Sequence, residues 1–390
     1  MLVKHNDKYH KRCKMNTLLL LAAAISILWV ILMSLILKKI QQTMILQAKN
    51  PNNYKFLFII KERSVYGTKT KAYGLYNSCK FVCNRLNKHN IEANVVQVID
   101  NNCIDKYVTQ YNPTHCLIEA LWVVPSKFEV LAKLHPNVKW VIRLHSMIPF
   151  LSSEGMAFEW LNEYMELRKK GINISISCNN EKLYEDLLAI YKEGISYTPN
   201  IYEPEIPPTK QDVNKKDDTI DIGCFGALRV LKNHTQQALW AIDFANKIDK
   251  KLNFHINISE HEQKESGPVL RNLRAIFKNT RHTLVEHPWY EHAEFLEVVK
   301  TMDLGMQISF TETFNVVAAD FVYCQVPIVV SKEIKFVHPN CSVGPTNERQ
   351  VDAAMKFAYF DKKIVKENRE LLDEHNRSAF RSWVEFIVDN

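Results

Sequence analysis

The sequence lacks most of the short signatures that assign a chemistry at sight. It has no GxGxxG and no GxxxxGK[ST] run, so neither the dinucleotide fingerprint nor a Walker A loop is supported. The loop after the first apolar run, "RSVYGTKTKAYG" (63–74), holds only Gly67 and Gly74. There is no CxxC pair; nine cysteines are scattered at 13, 79, 83, 103, 116, 178, 224, 324 and 341. An odd, dispersed set argues against a disulfide framework or structural metal site and for small buried apolar residues. No repeat and no low-complexity tract is evident, and the body holds no block of basic residues. A net charge of +7, part of it in the first 14 residues, gives poor support to nucleic-acid binding.

What is present is globular. The chain of 390 residues, 46% hydrophobic and 24% charged, suits two domains. From Met15 to Leu37, "MNTLLLLAAAISILWVILMSLIL" runs 23 residues without a charge. At about 1.5 Å per helical residue it can cross about 30 Å of hydrocarbon. It is longer than a signal-peptide core, and Lys38 and Lys39 follow it in place of a small-residue cleavage site. It reads as a single transmembrane anchor. Lys4, Lys8, Lys11, Arg12 and Lys14 precede the run, against Lys38, Lys39 and Lys49 after it. That bias leans toward a cytoplasmic N-terminus and a lumenal or exoplasmic body. Sequons at Asn173, Asn233, Asn257, Asn340 and Asn376 suit such a body, although an Asn-rich chain also produces them by chance.

Beyond the anchor, apolar runs at 54–61, 91–100, 114–124, 138–146 and 172–179 read as strands, separated by helical patterns. The alternation pauses at "YEPEIPPTKQDVNKKDD" (202–218), rich in proline and charge, and resumes with strands at 219–228, 252–259, 282–289, 303–309 and 326–331. Strand–helix alternation implies right-handed crossovers and parallel sheets. The expected organisation is a basic tail (1–14), the anchor (15–37), a stem (38–53), a Rossmann-like domain (54–202), a linker (203–218) and a second Rossmann-like domain with C-terminal helices (219–390). Two such domains face each other across a cleft at the carboxyl ends of their strands.

Four segments carry candidate chemistry. In "GCFGALRVLKNHT" (223–235), Arg229 and Lys232 follow Gly226 in a loop that opens a helix near His234. Two cations beside helix amides suit a diphosphate, and they also read as solvated side chains. In "VIRLHSMIPFL" (141–151), His145 ends a central strand, where a side chain points into the cleft of an open sheet or is simply structural. "SYTPNIYEP" (196–204) reads as a turn into the linker. In "FTETFNVVAAD" (310–320), Glu312 stands at the mouth of a helix expected from Thr313, and Asp320 lies two turns along it. A carboxylate there is also an ordinary capping arrangement.

In order, these segments resemble the retaining glycosyltransferases of the GT-B fold, the group 1, family 4-like enzymes, from about residue 54 to the C-terminus. "YTPNIYEP" is similar to the family's "IPNGVD" turn, "FGALRVLKN" to its "GRL…KG" loop, and "HPWYEHAEFLEVVKTMDLGMQIS" to the segment holding the nucleotide base. "SFTETFNVVAADFVYCQVPIVVS" resembles "PSxxEGFGxxxxEAxAxGxPVV". The resemblance implies that Arg229 and Lys232 bind the diphosphate and stabilise the leaving nucleotide. It implies that His145 faces the donor sugar and reacting centre and that Glu312 contacts the sugar hydroxyls. The amides of Phe314, Asn315 and Val316 would approach the phosphates, with Gly226 and Gly67 in the donor-binding loops, and Asp320 would hold the ribose. No metal or other cofactor is implied. Three positions depart from the pattern: Asp320 replaces Glu, Asn315 stands where glycine is favoured, and the first loop lacks paired glycines.

The expectation is a membrane-anchored retaining glycosyltransferase moving a sugar from a nucleotide-diphosphate donor to a glycan, lipid-linked or other acceptor. The alternatives are a catalytically silent GT-B module that binds a glycan or partner, a nucleotide-sugar epimerase, and a sugar transferase acting on nucleic acid.

Overall fold

The computed structural model describes residues 54–65, 68–70, 73–205, 218–258 and 267–389, together with Ser26, Trp29 and Met33. The expected anchor (those three residues apart), the stem, Gly67 and residues 206–217 of the linker lie outside the described residues. Among the described residues no helix is long and apolar enough to cross a membrane.

In the first domain β1 (Lys55–Lys61) leads into an antiparallel hairpin, β2 (Arg63–Val65) and β3 (Thr68–Thr70). It is followed by β4 (Glu92–Val98), β5 (His115–Glu119), β6 (Lys139–Leu144), β7 (Ile174–Cys178) and β8 (Ile195–Tyr197). The hairpin apart, all pair parallel in the order β4-β1-β5-β6-β7-β8. Every residue of β5 and β7 is buried, as a parallel sheet covered by helices on both faces requires.

The second domain has β9 (Thr219–Gly223), β10 (Lys251–Asn257), β11 (Thr283–His287), β12 (Leu304–Gln307), β13 (Ile328–Ser331) and β14 (Ser342–Val343), in the parallel order β11-β10-β9-β12-β13-β14. The chain reverses direction across this sheet between β9 and β12, the position where open α/β sheets bind ligands. The ten expected strands are all present, most of them shorter than read. The hairpin, β8 and β14 are two- or three-residue strands, too short to show a periodic pattern.

Each domain has its own core, around Leu57, Ile118, Trp140 and Ile142 in the first and Ile222, Phe254, Leu304 and Phe321 in the second. Two elements cross between them. Phe81, on the Tyr73–Lys88 helix, joins the second core beside Tyr202, with ring centroids 5.0 Å apart. The long Ile364–Asp389 helix returns to the first sheet, where Trp383 meets Phe56 and Phe58 and donates its indole N–H to Pro199 O at 2.8 Å. Trp383 therefore packs on the first domain, although it follows the second in sequence.

Two glycines set the depth of one helix. Gly223 of β9 and Gly305 of β12 are register partners. A Cβ on Gly305 would lie 2.5 Å from Phe321 Cδ1, and one on Gly223 would lie 2.6 Å from Phe225 Cε2 and 2.8 Å from Phe321 Cζ. The Phe321 ring thus rests on bare backbone, bringing the Val316–Tyr323 helix close to the sheet. Gly305→Ala is expected to cost about 1–3 kcal/mol through overpacking. Chemical denaturation should show a lower midpoint at unchanged slope, and an unchanged midpoint would mean that the helix does not depend on this contact.

Candidate active site

The second-domain half of the site is built at the switch point between β9 and β12. After β9 the chain turns at Gly226, whose φ of +116° suits glycine and whose amide donates to Asn257 Oδ1 at 2.6 Å. A short 3-10 turn, Val230–Lys232, then leads into the His234–Lys247 helix. Asn233 and Gln237 fix that junction to the end of β12. Asn233 Nδ2 donates to Ile308 O at 3.2 Å, and Gln237 Oε1 accepts from the Ile308 amide at 2.8 Å. Lys232 is thereby aimed at Glu312, with Nζ 2.6 Å from Oε1. The buried Glu312 Oε1 also accepts from Ser309 Oγ at 2.7 Å and Asn315 Nδ2 at 2.9 Å. Three donors converge on one oxygen, and among the described residues no hydrogen bond is made to Oε2.

The helix beyond begins at Val316, not Thr313, because Asn315 is its cap. Asn315 Oδ1 accepts from the Ala318 amide at 2.9 Å. Its φ of +64° is a conformation that favours glycine and that Asn tolerates among side-chain-bearing residues. The departure from glycine at this position therefore keeps a glycine-like backbone. The Phe314 side chain packs away between Phe336 and His375, which leaves its backbone at the helix mouth.

Asp320, about one turn into that helix, is 2% exposed and receives Tyr202 Oη at 2.6 Å and His292 Nε2 at 2.7 Å. Both fall on Oδ1, and among the described residues Oδ2 takes no hydrogen bond. Arg229 is exposed, its guanidinium 5.8 Å from the Phe150 ring of the first domain. Gly67 lies outside the described residues.

The first-domain half contains residues that the sequence reading passed over. Arg143 and Glu119, register partners on β6 and β5, form an ion pair with no side-chain exposure on either partner. Arg143 Nη1 donates to Glu119 Oε2 at 3.1 Å, Nε to Thr198 O at 3.0 Å and Nη2 to Asn200 Oδ1 at 2.6 Å. Glu119 Oε2 also meets His145 Nε2 in a short contact. Burial pushes the Glu119 carboxyl up, but Arg143 and His145 outweigh it and hold it below the ordinary value. Burial drives His145 below the usual histidine value against the opposing pull of Glu119. The available signal was a charged residue near the carboxyl end of each of two largely apolar strand runs, Glu119 in "HCLIE" and Arg143 in "KWVIRL".

Thr313 joins the two halves. Its Oγ1 donates to His145 O at 3.2 Å and accepts from Asn179 Nδ2 at 3.2 Å, and its carbonyl accepts from Asn180 Nδ2 at 3.0 Å. Predicted residues from both domains, His145 and Glu312, are thus brought to one place, whereas Asp320 lies further along the helix in a buried contact with the entry to the linker. Among the described residues no group of three or more His, Cys, Asp or Glu side chains is arranged to hold a metal ion.

No protein-family model matches this chain, and no curated protein matches it in sequence. Solved structures do match. The Anabaena protein HepE, in complex with UDP and glucose, has a TM-score of 0.58 at 13% identity over 86% of this chain and 100% of its own. A UDP-forming trehalose-phosphate synthase from Burkholderia xenovorans has a TM-score of 0.56 at 10% identity, covering 86% and 99%. The N-terminal domain of the Candida albicans trehalose-6-phosphate phosphatase has a TM-score of 0.57 at 11% identity, covering 86% and 96%. Likeness at this identity carries the fold, and the chain has the GT-B fold.

Two outcomes follow from the geometry. Asn315→Ala loses the cap and strains a positive φ, whereas Asn315→Gly relieves the strain, so the alanine variant should be less stable than the glycine variant by about 1 kcal/mol. Equal denaturation midpoints would contradict the strain expected of alanine at this positive φ. Stability should also fall in acid. Burial, then Lys232, lowers His234 to about 3; burial, then Lys139, lowers His115 to about 4; burial, then His255, lowers His287 to about 4. These folded values lie below the unfolded value of about 6.5, so below that pH the unfolded chain binds more protons. Stability is complete near neutrality and declines from about pH 6.5 toward 4. His234→Leu, replacing a buried ring whose nitrogens have no hydrogen-bond partner among the described residues, should flatten that decline in urea midpoints measured across pH.

Proposed function

We propose that this protein is a retaining glycosyltransferase that moves a sugar from a nucleoside-diphosphate donor to a hydroxyl acceptor, anchored to a membrane by residues 15–37. The observation that carries this reading is the Lys232–Glu312 pair at the switch point of the second sheet, joined to His145 of the first domain through Thr313. In it, Arg229 and Lys232 meet the diphosphate, and the amides at the mouth of the Val316–Tyr323 helix face the same charge. As the bond from the anomeric carbon to the diphosphate oxygen breaks, the fixed cations stabilise the departing negative charge. The acceptor oxygen bonds to that carbon on the same face, and its proton leaves with the diphosphate. Glu312 Oε2 accepts from the sugar hydroxyls and Asp320 Oδ2 from the ribose, so each acid keeps its internal partners on the other oxygen.

The donor charge is assigned to side chains and amides, without a metal or other cofactor. The neighbours described as UDP-forming or UDP-bound put UDP-sugars first among donors to try. The uncharged 23-residue run supports the anchor, which makes a glycan or lipid-linked acceptor reasonable. Positive-inside bias supports a lumenal or exoplasmic body. Glycans there would fall on the exposed Asn173 and Asn340, because Asn233 and Asn257 are buried and Asn376 Nδ2 donates to Tyr202 O at 2.8 Å. A silent module was suggested by Asn315 and the reduced glycine loop; the glycine-like φ of Asn315 removes the first motive, and Gly67 of the loop lies outside the described residues.

The test uses the full-length chain in detergent with a panel of nucleotide sugars, reading donor hydrolysis and transfer. Lys232→Ala and Glu312→Ala should each lower kcat by roughly 10²–10³-fold, the range for removing one preorganised charge-stabilising group. Variants that match the wild type would remove the assigned mechanism.

A further inference from the structure

His145 has both ring nitrogens and its carbonyl engaged. Nε2 faces the carboxylate of Glu119, and Nδ1 lies 3.2 Å from Asn179 Nδ2. The single Thr313 hydroxyl proton goes to His145 O, so Thr313 Oγ1 must accept from Asn179, which fixes the Asn179 amide with its NH₂ toward both Thr313 and the ring. A carboxylate only accepts and an amide nitrogen only donates. Nε2 therefore carries the ring proton and Nδ1 does not. Arg143 Nη1, 3.4 Å from Nε2, does not reverse this, since an unprotonated Nε2 would set its lone pair against the carboxylate.

We propose that Glu119, with Arg143 and Asn179, is a positioning group that holds His145 as the neutral Nε2–H tautomer. The inference rests on the transferase reading above. It adds that His145 neither takes nor gives a proton during transfer and forms a fixed wall of the reacting centre. Arg143 supplies the counter-charge that lets a carboxylate stay ionised with no solvent contact. Because Asn179 Nδ2 also donates to Thr313, the amide that faces the ring is tied to the second domain as well.

The test reads the tautomer directly. Long-range proton–nitrogen spectra of histidine-labelled full-length protein, with the His145 signal assigned by its loss in His145→Gln, should show Nε2 protonated and Nδ1 bare at neutral pH. In Glu119→Leu, which leaves Nε2–H without its acceptor, that signature should be lost, with kcat down about 10–100-fold, the range for outer partners that orient a ligand histidine. Donor KM should stay within about twofold, and Glu119→Asp should recover part of the rate. If Glu119→Leu does not fold, the wild-type spectrum still decides. A protonated Nδ1 in the wild type, alone or with Nε2, overturns the proposal whatever the activity. The expected tautomer in a protein with no activity on any nucleotide sugar would sink the transferase reading and leave the positioning of His145 standing.

Discussion

A guanidinium with no exposed surface organises this molecule. Arg143 cannot shed its charge, so its donors must be satisfied inside the protein. They are shared among Glu119 on the neighbouring strand, Thr198 just beyond β8 and Asn200 at the approach to the linker. The guanidinium also lies 5.4 Å from the ring of Trp383, on the helix that returns from the second domain. One residue thereby ties the first sheet, the way out of it and the end of the chain together. The carboxylate it holds is the one that meets His145. Removing either member of such a pair costs about 3–5 kcal/mol, because the survivor stays buried and uncompensated.

The second domain solves a different problem with small residues. Gly223 and Gly305 let Phe321 lie on the strands, and the helix comes down far enough for Asn315 to reach Gln307 Oε1 at 2.9 Å as well as Glu312. Lys232 approaches the same carboxylate from the other side of the switch point. The site half in this domain is a set of opposed charges held by backbone geometry. The half in the first domain is a buried network neutralised by the Arg143–Glu119 ion pair. Thr313, one residue from Glu312, is the joint between them.

The strand–helix alternation, the two-domain division and the order of the motifs were legible in the sequence because buried parallel strands read as apolar runs and the Lys232 and Glu312 loops follow them directly. Helix onset was misplaced from Val316 to Thr313, since the cap depends on a positive φ at Asn315 that spacing does not reveal. Glu119, Arg143, Asn179 and Thr313 were missed for a common reason. Their roles come from cross-strand register and inter-domain contact, which join positions 24 to 168 residues apart. The crossing of Trp383 to the first sheet was likewise invisible, because an amphipathic helix does not say which domain its apolar face meets.

The central claim is that the switch point of the second sheet is a nucleoside-diphosphate site closed by the first domain. A structure determined with UDP bound tests it most directly. The account predicts the diphosphate between Lys232, Arg229 and the amides at the mouth of the Val316–Tyr323 helix, the ribose against Asp320, and His145 within reach of the distal phosphate's surroundings. A diphosphate bound elsewhere, with the Lys232–Glu312 pair undisturbed and that helix mouth empty, would contradict it.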